Sequence, residues 1–261
     1  MRENKSSLRV CPLASGSKGN SVFIATPETS VLIDAGLSGV ELQRRMDAVG
    51  EDPSRLSAII VTHEHSDHVK GAGILSRRFD IPLHITPSTH AACKGLGKVE
   101  HLEYFHCGNA FDIGDLTINP FSVSHDADDP AGLTLSHGGH KVGFATDLGI
   151  VTNLVRAHLS QASLLYIESN HDMDMLMQGA YPWYLKQRIK SRRGHLSNRE
   201  TRQLVTDLIH PGLQHVILAH LSEENNHPDK AYQEVGQCLE NTEISLSVAG
   251  PEAPGQMIQL G

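Results

Sequence analysis

In the stretch VTHEHSDHVKG, at residues 61–71, the chain places His63, His65, Asp67 and His68 directly after the apolar run AIIV. Imidazole and carboxylate bind divalent cations, and histidine also moves protons near neutral pH. An extended backbone puts His63 and His65 on one side, because strand side chains repeat every two residues. A turn at Ser66 then swings Asp67 and His68 to a second, nearby position. One loop can thus offer two donors to each of two ions. More donors stand at other strand ends: His125 follows NPFSVS, Asp147 follows KVGFAT and His220 follows HVILA. A carboxylate from Asp147 shared between both ions would hold them at the ~3.5–4 Å separation of two-metal hydrolases.

These donors need elements to carry them. VFIA and VLID flank a Pro-containing turn and read as a hairpin. Ser38 reads as the N-cap of a helix through VELQRRMDAV, with Gly50 as its stop. LSAIIVT is a buried strand, HVKGAGILSRRF one helix, IPLHIT a strand and PSTHAACKGL a helix opened by Pro87. LTINPFSVS and GLTLSHGGHKVGFATD continue the β pattern, with a hairpin turn at Gly138 and Gly139. Beyond them the helices VTNLVRAHL, NRETRQLVTDLI and AYQEVGQCLEN alternate with the strands SLLYIES and LQHVILAH, and ISLSV is expected as the final strand. Two sets of strands with helices between them predict two packed sheets covered by helices, in a single domain over residues 1–261.

THEHSDH, with His125, Asp147 and the later LAHLS segment, resembles the metallo-β-lactamase superfamily from about residue 8 to 260. The resemblance implies an α+β fold, a four-layer αββα sandwich of two mixed β-sheets flanked by helices, with metals at one edge. It implies one divalent ion on His63, His65, His125 and Asp147, and a second on Asp67, His68, Asp147 and His220. Asp34, in VLIDAG, matches the aspartate that supports the histidine loop in that superfamily. Zinc, manganese and iron all suit these donors.

The superfamily hydrolyses several kinds of ester, so other motifs must choose among them. SGSKGNS is Gly-rich, and its backbone N–H groups with Ser15, Ser17 and Asn20 can hold a phosphate. In RGHLSN, Ser197 or Asn198 caps the next helix. His195 therefore stands beside a helix N-terminus, next to Arg193, where an anion is favoured. His171, in ESNHD, is expected to line the same site. SGSKGNS, THEHSDH, ESNHD, YPW, GHLSN and LAHLSEENNHP together resemble the YycJ (WalJ) group, bacterial 5′-to-3′ DNA exonucleases. What this implies is phosphodiester hydrolysis by a metal-bridging hydroxide, with Asp67 taking a proton and His195 stabilising or protonating the leaving group. A phosphodiesterase acting on a small cyclic phosphate or nucleotide would use the same residues. A metal-binding regulatory module without catalysis is disfavoured, because all seven ligand positions are filled.

Composition sets the outer bounds. With 261 residues, 39% hydrophobic and 20% charged, the chain is an ordinary globular sequence. Its four cysteines, Cys11, Cys93, Cys107 and Cys238, form no C-x-x-C pair, which argues against a zinc ribbon or a thioredoxin-like site. The formal net charge of −8 argues against bulk attraction to nucleic acid. Residues 184–202 nevertheless carry seven Lys and Arg against one Glu, a local surface suited to the phosphates of DNA. No apolar run reaches the ~18 residues of a membrane span. The start, MRENKSSLRV, has no apolar stretch of signal-peptide length. A cytoplasmic location without membrane attachment is expected.

Overall fold

The computed structural model describes residues 6–261. The first half of the chain supplies β1 (Leu8–Ala14), β2 (Ser21–Ala25), β3 (Ser30–Ile33), β4 (Ala58–Ile60), β5 (Leu83–Ile85) and β6 (Leu102–Tyr104). The chain beyond β6 supplies β7 (Phe111–Ile113), β8 (Leu116–Ser122), β9 (Ala131–His137), β10 (His140–Ala145), β11 (Leu164–Glu168), β12 (His215–Ala219) and β13 (Ser245–Val248). A last strand, β14 (Ile258–Leu260), returns to pair antiparallel with β1. Two seven-stranded sheets result, ordered β14-β1-β2-β3-β4-β5-β6 and β13-β12-β11-β10-β9-β8-β7. Both are mixed: β3 to β6 run parallel in one, and β10 to β13 run parallel in the other.

The period-2 alternation of each strand decides which layer its side chains fill. Val31 and Ile33 of β3, Ala58 and Ile60 of β4, and Leu164 and Tyr166 of β11 meet in the core between the sheets. Their neighbours Leu32 and Ile59 point outward and pack with Leu42, Met46 and Leu75. Those three belong to α1 (Gly39–Ala48) and, for Leu75, to a later helix at Ala72–Phe79. On the opposite face Leu165 and Ile167 pack with Leu159, Leu204, Val205 and Val235, which come from three further helices. Each fully buried Leu, Ile or Val contributes roughly 1.5–3 kcal/mol. A strand buried on both faces must therefore be apolar throughout, as AII and LLYI are. The αββα layering predicted from the sequence is the observed one.

The helices in chain order are α1, α2 (Ser66–Val69), α3 (Ala72–Phe79), α4 (Pro87–Ala92), α5 (Asn153–Leu159), α6 (Met173–Gln178), α7 (Trp183–Ile189), α8 (Asn198–Leu208) and α9 (Pro228–Gly236). Ser38 caps α1 through the Glu41 amide, and Ser197 with Glu200 forms a full capping box on α8. The single helix expected over HVKGAGILSRRF is instead two. Its backbone passes so close to a neighbouring turn that the Gly71 amide donates to the Ala35 carbonyl, at 2.7 Å. The expected helix PSTHAACKGL ends at Ala92, and ISLSV is not the final strand. None of the helices among the described residues is long and apolar enough to cross a membrane.

Candidate metal centre

The carboxyl ends of the parallel strands gather at one edge of the two sheets, the usual place for a site on such sheets. There Asp34 follows β3, the histidine loop follows β4, Asp147 follows β10, Glu168 ends β11 and His220 follows β12. Three of these residues turn the backbone left-handed: Asp34 at φ 58°, Asp147 at φ 55° and His220 at φ 54°. Non-glycine residues pay for that conformation, and such strain collects at functional sites. Here it turns three strand-end side chains into a common space.

The histidine loop is pinned from several directions. Asp34 is fully buried, and its carboxylate accepts from the Thr62 amide at 2.8 Å, the Thr62 hydroxyl and His68 Nδ1, the last at 2.8 Å. The Asn20 amide donates to the Asp67 carbonyl at 2.7 Å, and the Ala35 amide to the His68 carbonyl at 2.7 Å. Gly36 sits so close beneath that a methyl group on it would overlap the Asp67 carbonyl oxygen. Only glycine permits this approach.

Four imidazoles share one arrangement. Nδ1 faces the Asp34 carboxylate in His68, the Gly194 carbonyl in His125, Glu168 in His220 and the Thr62 hydroxyl in His63. Carbonyl and carboxylate oxygens only accept, so in the first three Nδ1 carries the proton and Nε2 is the nitrogen that faces inward, free to bind a cation once it carries no proton. His68 Nε2 lies 3.3 Å from Asp147, His220 Nε2 3.4 Å from Asp147, and His125 Nε2 3.4 Å from His65 Nδ1. His63 Nε2 and Asp147 Oδ2 are buried without any hydrogen-bond partner. Donor atoms of His63, His65 and His125, of His63, His68 and Asp147, and of Asp67, His68 and His220 each lie within 4.8 Å of one another. Converging nitrogens, a shared carboxylate and orphaned buried donors are what a divalent cation requires, and the residues fit one.

The charges agree. Burial alone would raise the carboxyl groups of Asp67, Asp147 and Glu168, yet facing imidazoles hold all three below their ordinary range. Burial likewise opposes charge on His68 and His220, but the Asp147 carboxylate and its neighbours push both upward. On His63 and His125 burial prevails over the facing carboxylates, with neighbouring imidazoles adding to it, and both are pushed down. Buried Asp147 and Glu168, with half-buried Asp67 beside them, favour positive charge between them.

The sequence matches a family model described as "Beta-lactamase superfamily domain" over residues 29–221. The chain belongs to this superfamily. It is 38% identical over 240 residues to "Exodeoxyribonuclease YycJ" of Bacillus anthracis, covering 91% of each chain. It is 36% identical over 241 residues to "Exodeoxyribonuclease WalJ" of Streptococcus pneumoniae, covering 90% of each. The superfamily fold is matched by the metallo-β-lactamase fold protein YhfI of Bacillus subtilis, with a TM-score of 0.74 at 17% identity, over 95% of this chain and 99% of that one. A diphosphatase of the PhnP family matches with a TM-score of 0.70 at 16% identity, over 97% of each chain.

One acidic residue of the site, Glu168, was not expected from the sequence. Glu168 is wholly buried, and one of its oxygens accepts from the Leu148 and Leu196 amides, both at 3.0 Å. The other lies 2.6 Å from His195 Nδ1 and 3.2 Å from His220 Nδ1. Burial would lower His195, but the Glu168 carboxylate pushes it above its ordinary value. With Nδ1 held by Glu168, the ring of His195 presents Nε2 to a cleft of about 320 Å³, which it lines with His220, Ser17, Tyr181 and Arg188. A charged residue ending an otherwise apolar strand was the available signal.

Three residues expected to hold phosphate are placed otherwise. Ser15 is buried, and its hydroxyl accepts from the His220 amide at 2.7 Å. Asn20 is buried, and its amide closes the Gly16 turn and donates to Asp67 Oδ2 at 3.0 Å. Both position candidate ligands instead of facing the cleft. His171 is 1% exposed, both ring nitrogens are sealed from solvent, and burial pushes it down to about 4. Its backbone bridges to Ser197 and accepts from the Asn198 amide, so it shapes the turn after His195 and does not line the cleft. Ser17 is exposed on the cleft wall, and exposed Arg193 donates through Nε to the His125 carbonyl at 3.1 Å. His227 caps α9 through the Asp229 amide.

Proposed function

We propose that this protein is a metal-dependent phosphodiesterase, a 5′-to-3′ exonuclease acting on DNA in the cytoplasm. The observation that carries the reading is the Glu168–His195 pair opening onto a cleft beside the converging donors. One divalent ion is assigned to His63, His65, His125 and Asp147, and a second to Asp67, His68, Asp147 and His220. Zinc and manganese are the first choices for these nitrogen and oxygen donors. When bound, such ions polarise a phosphoryl oxygen and lower the pKa of water beside it.

The chain's own residues supply the rest. Asp67, whose side chain is partly exposed, takes the proton of an attacking water. His195, whose protonated form Glu168 favours, donates from Nε2 to the departing oxygen and stabilises the charge that develops there. Ser17 and Arg188 line the cleft beside His195 and can meet a non-bridging phosphate oxygen, with exposed Arg193 two residues before His195 adding positive charge. The cleft is small for a ligand site, the size of a terminal nucleotide more than of a duplex. DNA as the substrate is supported by likeness to the exodeoxyribonucleases YycJ and WalJ.

The test is hydrolysis of 5′-labelled duplex DNA and RNA with zinc or manganese, against a chelator control. Mononucleotide release from the 5′ end of DNA, abolished by chelation and by D147A, is the expected result. Turnover of small cyclic diesters without DNA cleavage would replace the substrate. No metal-dependent hydrolysis of any diester would sink the enzymatic reading and leave a binding module.

A further inference from the structure

The segment from α6 to α7 leaves apolar surface uncovered beside the cleft. Trp183 is 61% exposed and Tyr184 75%, while Tyr181 lines the cleft together with Leu185 and Arg188. Helical residues four apart share a face, so Tyr184 stands one turn before Arg188 on the side of α7 bordering the cleft. The segment is firmly held. Asp172 caps α6 through the Met175 amide at 2.9 Å. At the other end the buried ammonium of Lys186 donates to the carbonyls of Met177 at 2.8 Å and Gly179 at 2.7 Å. Burying a lysine costs free energy that these two bonds must offset, and they fix the two short helices against each other.

Rigid aromatics exposed in one place mark a binding surface. The charge around them is positive: Arg188, Lys190, Arg192 and Arg193 are all exposed, and of these Arg188 is paired with Asp126 at 2.6 Å. Aromatic faces beside cations are the features that bind single-stranded nucleic acid, whose bases stack and whose phosphates pair. Bases within a duplex already have both faces covered, so the surface suits an unpaired strand end.

We infer that Tyr181 and Tyr184 stack on the bases of a single nucleic-acid strand entering the cleft, while Arg188 exchanges Asp126 for a phosphate of that strand. This rests on the phosphodiesterase reading and adds the form in which the substrate is gripped. Metal-loaded protein is assayed on an oligothymidylate and on an equal-length strand whose terminal residues are tetrahydrofuran abasic analogues. Stacking contributes about 1–3 kcal/mol per base, so the wild type should show a KM roughly 5- to 150-fold lower for the base-bearing strand. Y184A should raise that KM toward the abasic value, and Y184W should keep it low. Trp183 is the single tryptophan of the chain, and its fluorescence should be quenched by a base-bearing phosphorothioate strand more than by an abasic one. Equal KM values in the wild type overturn the stacking while leaving the phosphodiesterase standing. Hydrolysis of neither strand removes both.

Discussion

Replacing Glu168 with glutamine tests the catalytic side of the site most directly, because shape is kept and only charge and one acceptor are lost. One oxygen of Glu168 receives the amides of Leu148 and Leu196, and the carbonyl of glutamine should keep that position. The new NH2 group then faces Nδ1 of His195 and of His220, both of which donate to the native carboxylate. A donor cannot accept, so each imidazole must move its proton to Nε2 or turn away. For His195 this discards the imidazolium; for His220 it blocks the nitrogen that points toward Asp147. A hydrogen bond to a charged group contributes about 1.5–3 kcal/mol, equivalent to roughly 10- to 150-fold. Supporting groups behind metal-bound histidines are typically worth 10- to 100-fold in metal affinity. E168Q should therefore fold, lose metal affinity by about one to two orders of magnitude in chelator competition, and stay at least tenfold slow in kcat when metal is saturating. Wild-type kcat at saturating metal together with unchanged affinity would refute the reasoning.

H195A should retain its metal, measured by elemental analysis, while kcat on DNA falls about 10²–10⁴-fold; with a p-nitrophenolate leaving group, which needs no proton, the loss should be much smaller, and equal losses would remove the acid role. G36A drives a methyl group into the Asp67 carbonyl, where backbone meets backbone. It should lower Tm, by about 1–3 kcal/mol of stability, along with metal content, and a variant matching wild type in both would contradict the packing. Glu41 is held down from 4.5 to about 2 by hydrogen bonds from Arg44 and from Arg45, whose buried guanidinium also donates to the Leu13 and Pro251 carbonyls. A lowered folded pKa stabilises above the unfolded value and loses that contribution as pH falls from 4.5 toward 2. E41Q should thus unfold at lower temperature than wild type at pH 7, with the gap closing in that acid window; a gap independent of pH would exclude the linkage.

Much of this protein is written locally. The H-x-H-x-D-H loop, the caps at Ser38 and Ser197 and the Gly138–Gly139 hairpin each depend on a few consecutive residues, and all were legible. The two-sheet sandwich was legible too, because strands buried on both faces must be apolar throughout. Three features depend on residues far apart in the chain, and only the folded molecule decided them. Glu168 reads as an ordinary strand-end acid until the parallel register of β10, β11 and β12 sets it between His195 and His220. Asn20 reads as a phosphate-loop residue until the fold brings Asp67, 47 positions away, against its amide. β14 is three residues with no pattern of its own, and it becomes a strand because the open edge of β1 offers unpaired backbone groups. Short-range sequence sets propensity and ligand type, whereas the burial of a charge is set by what tertiary packing leaves beside it.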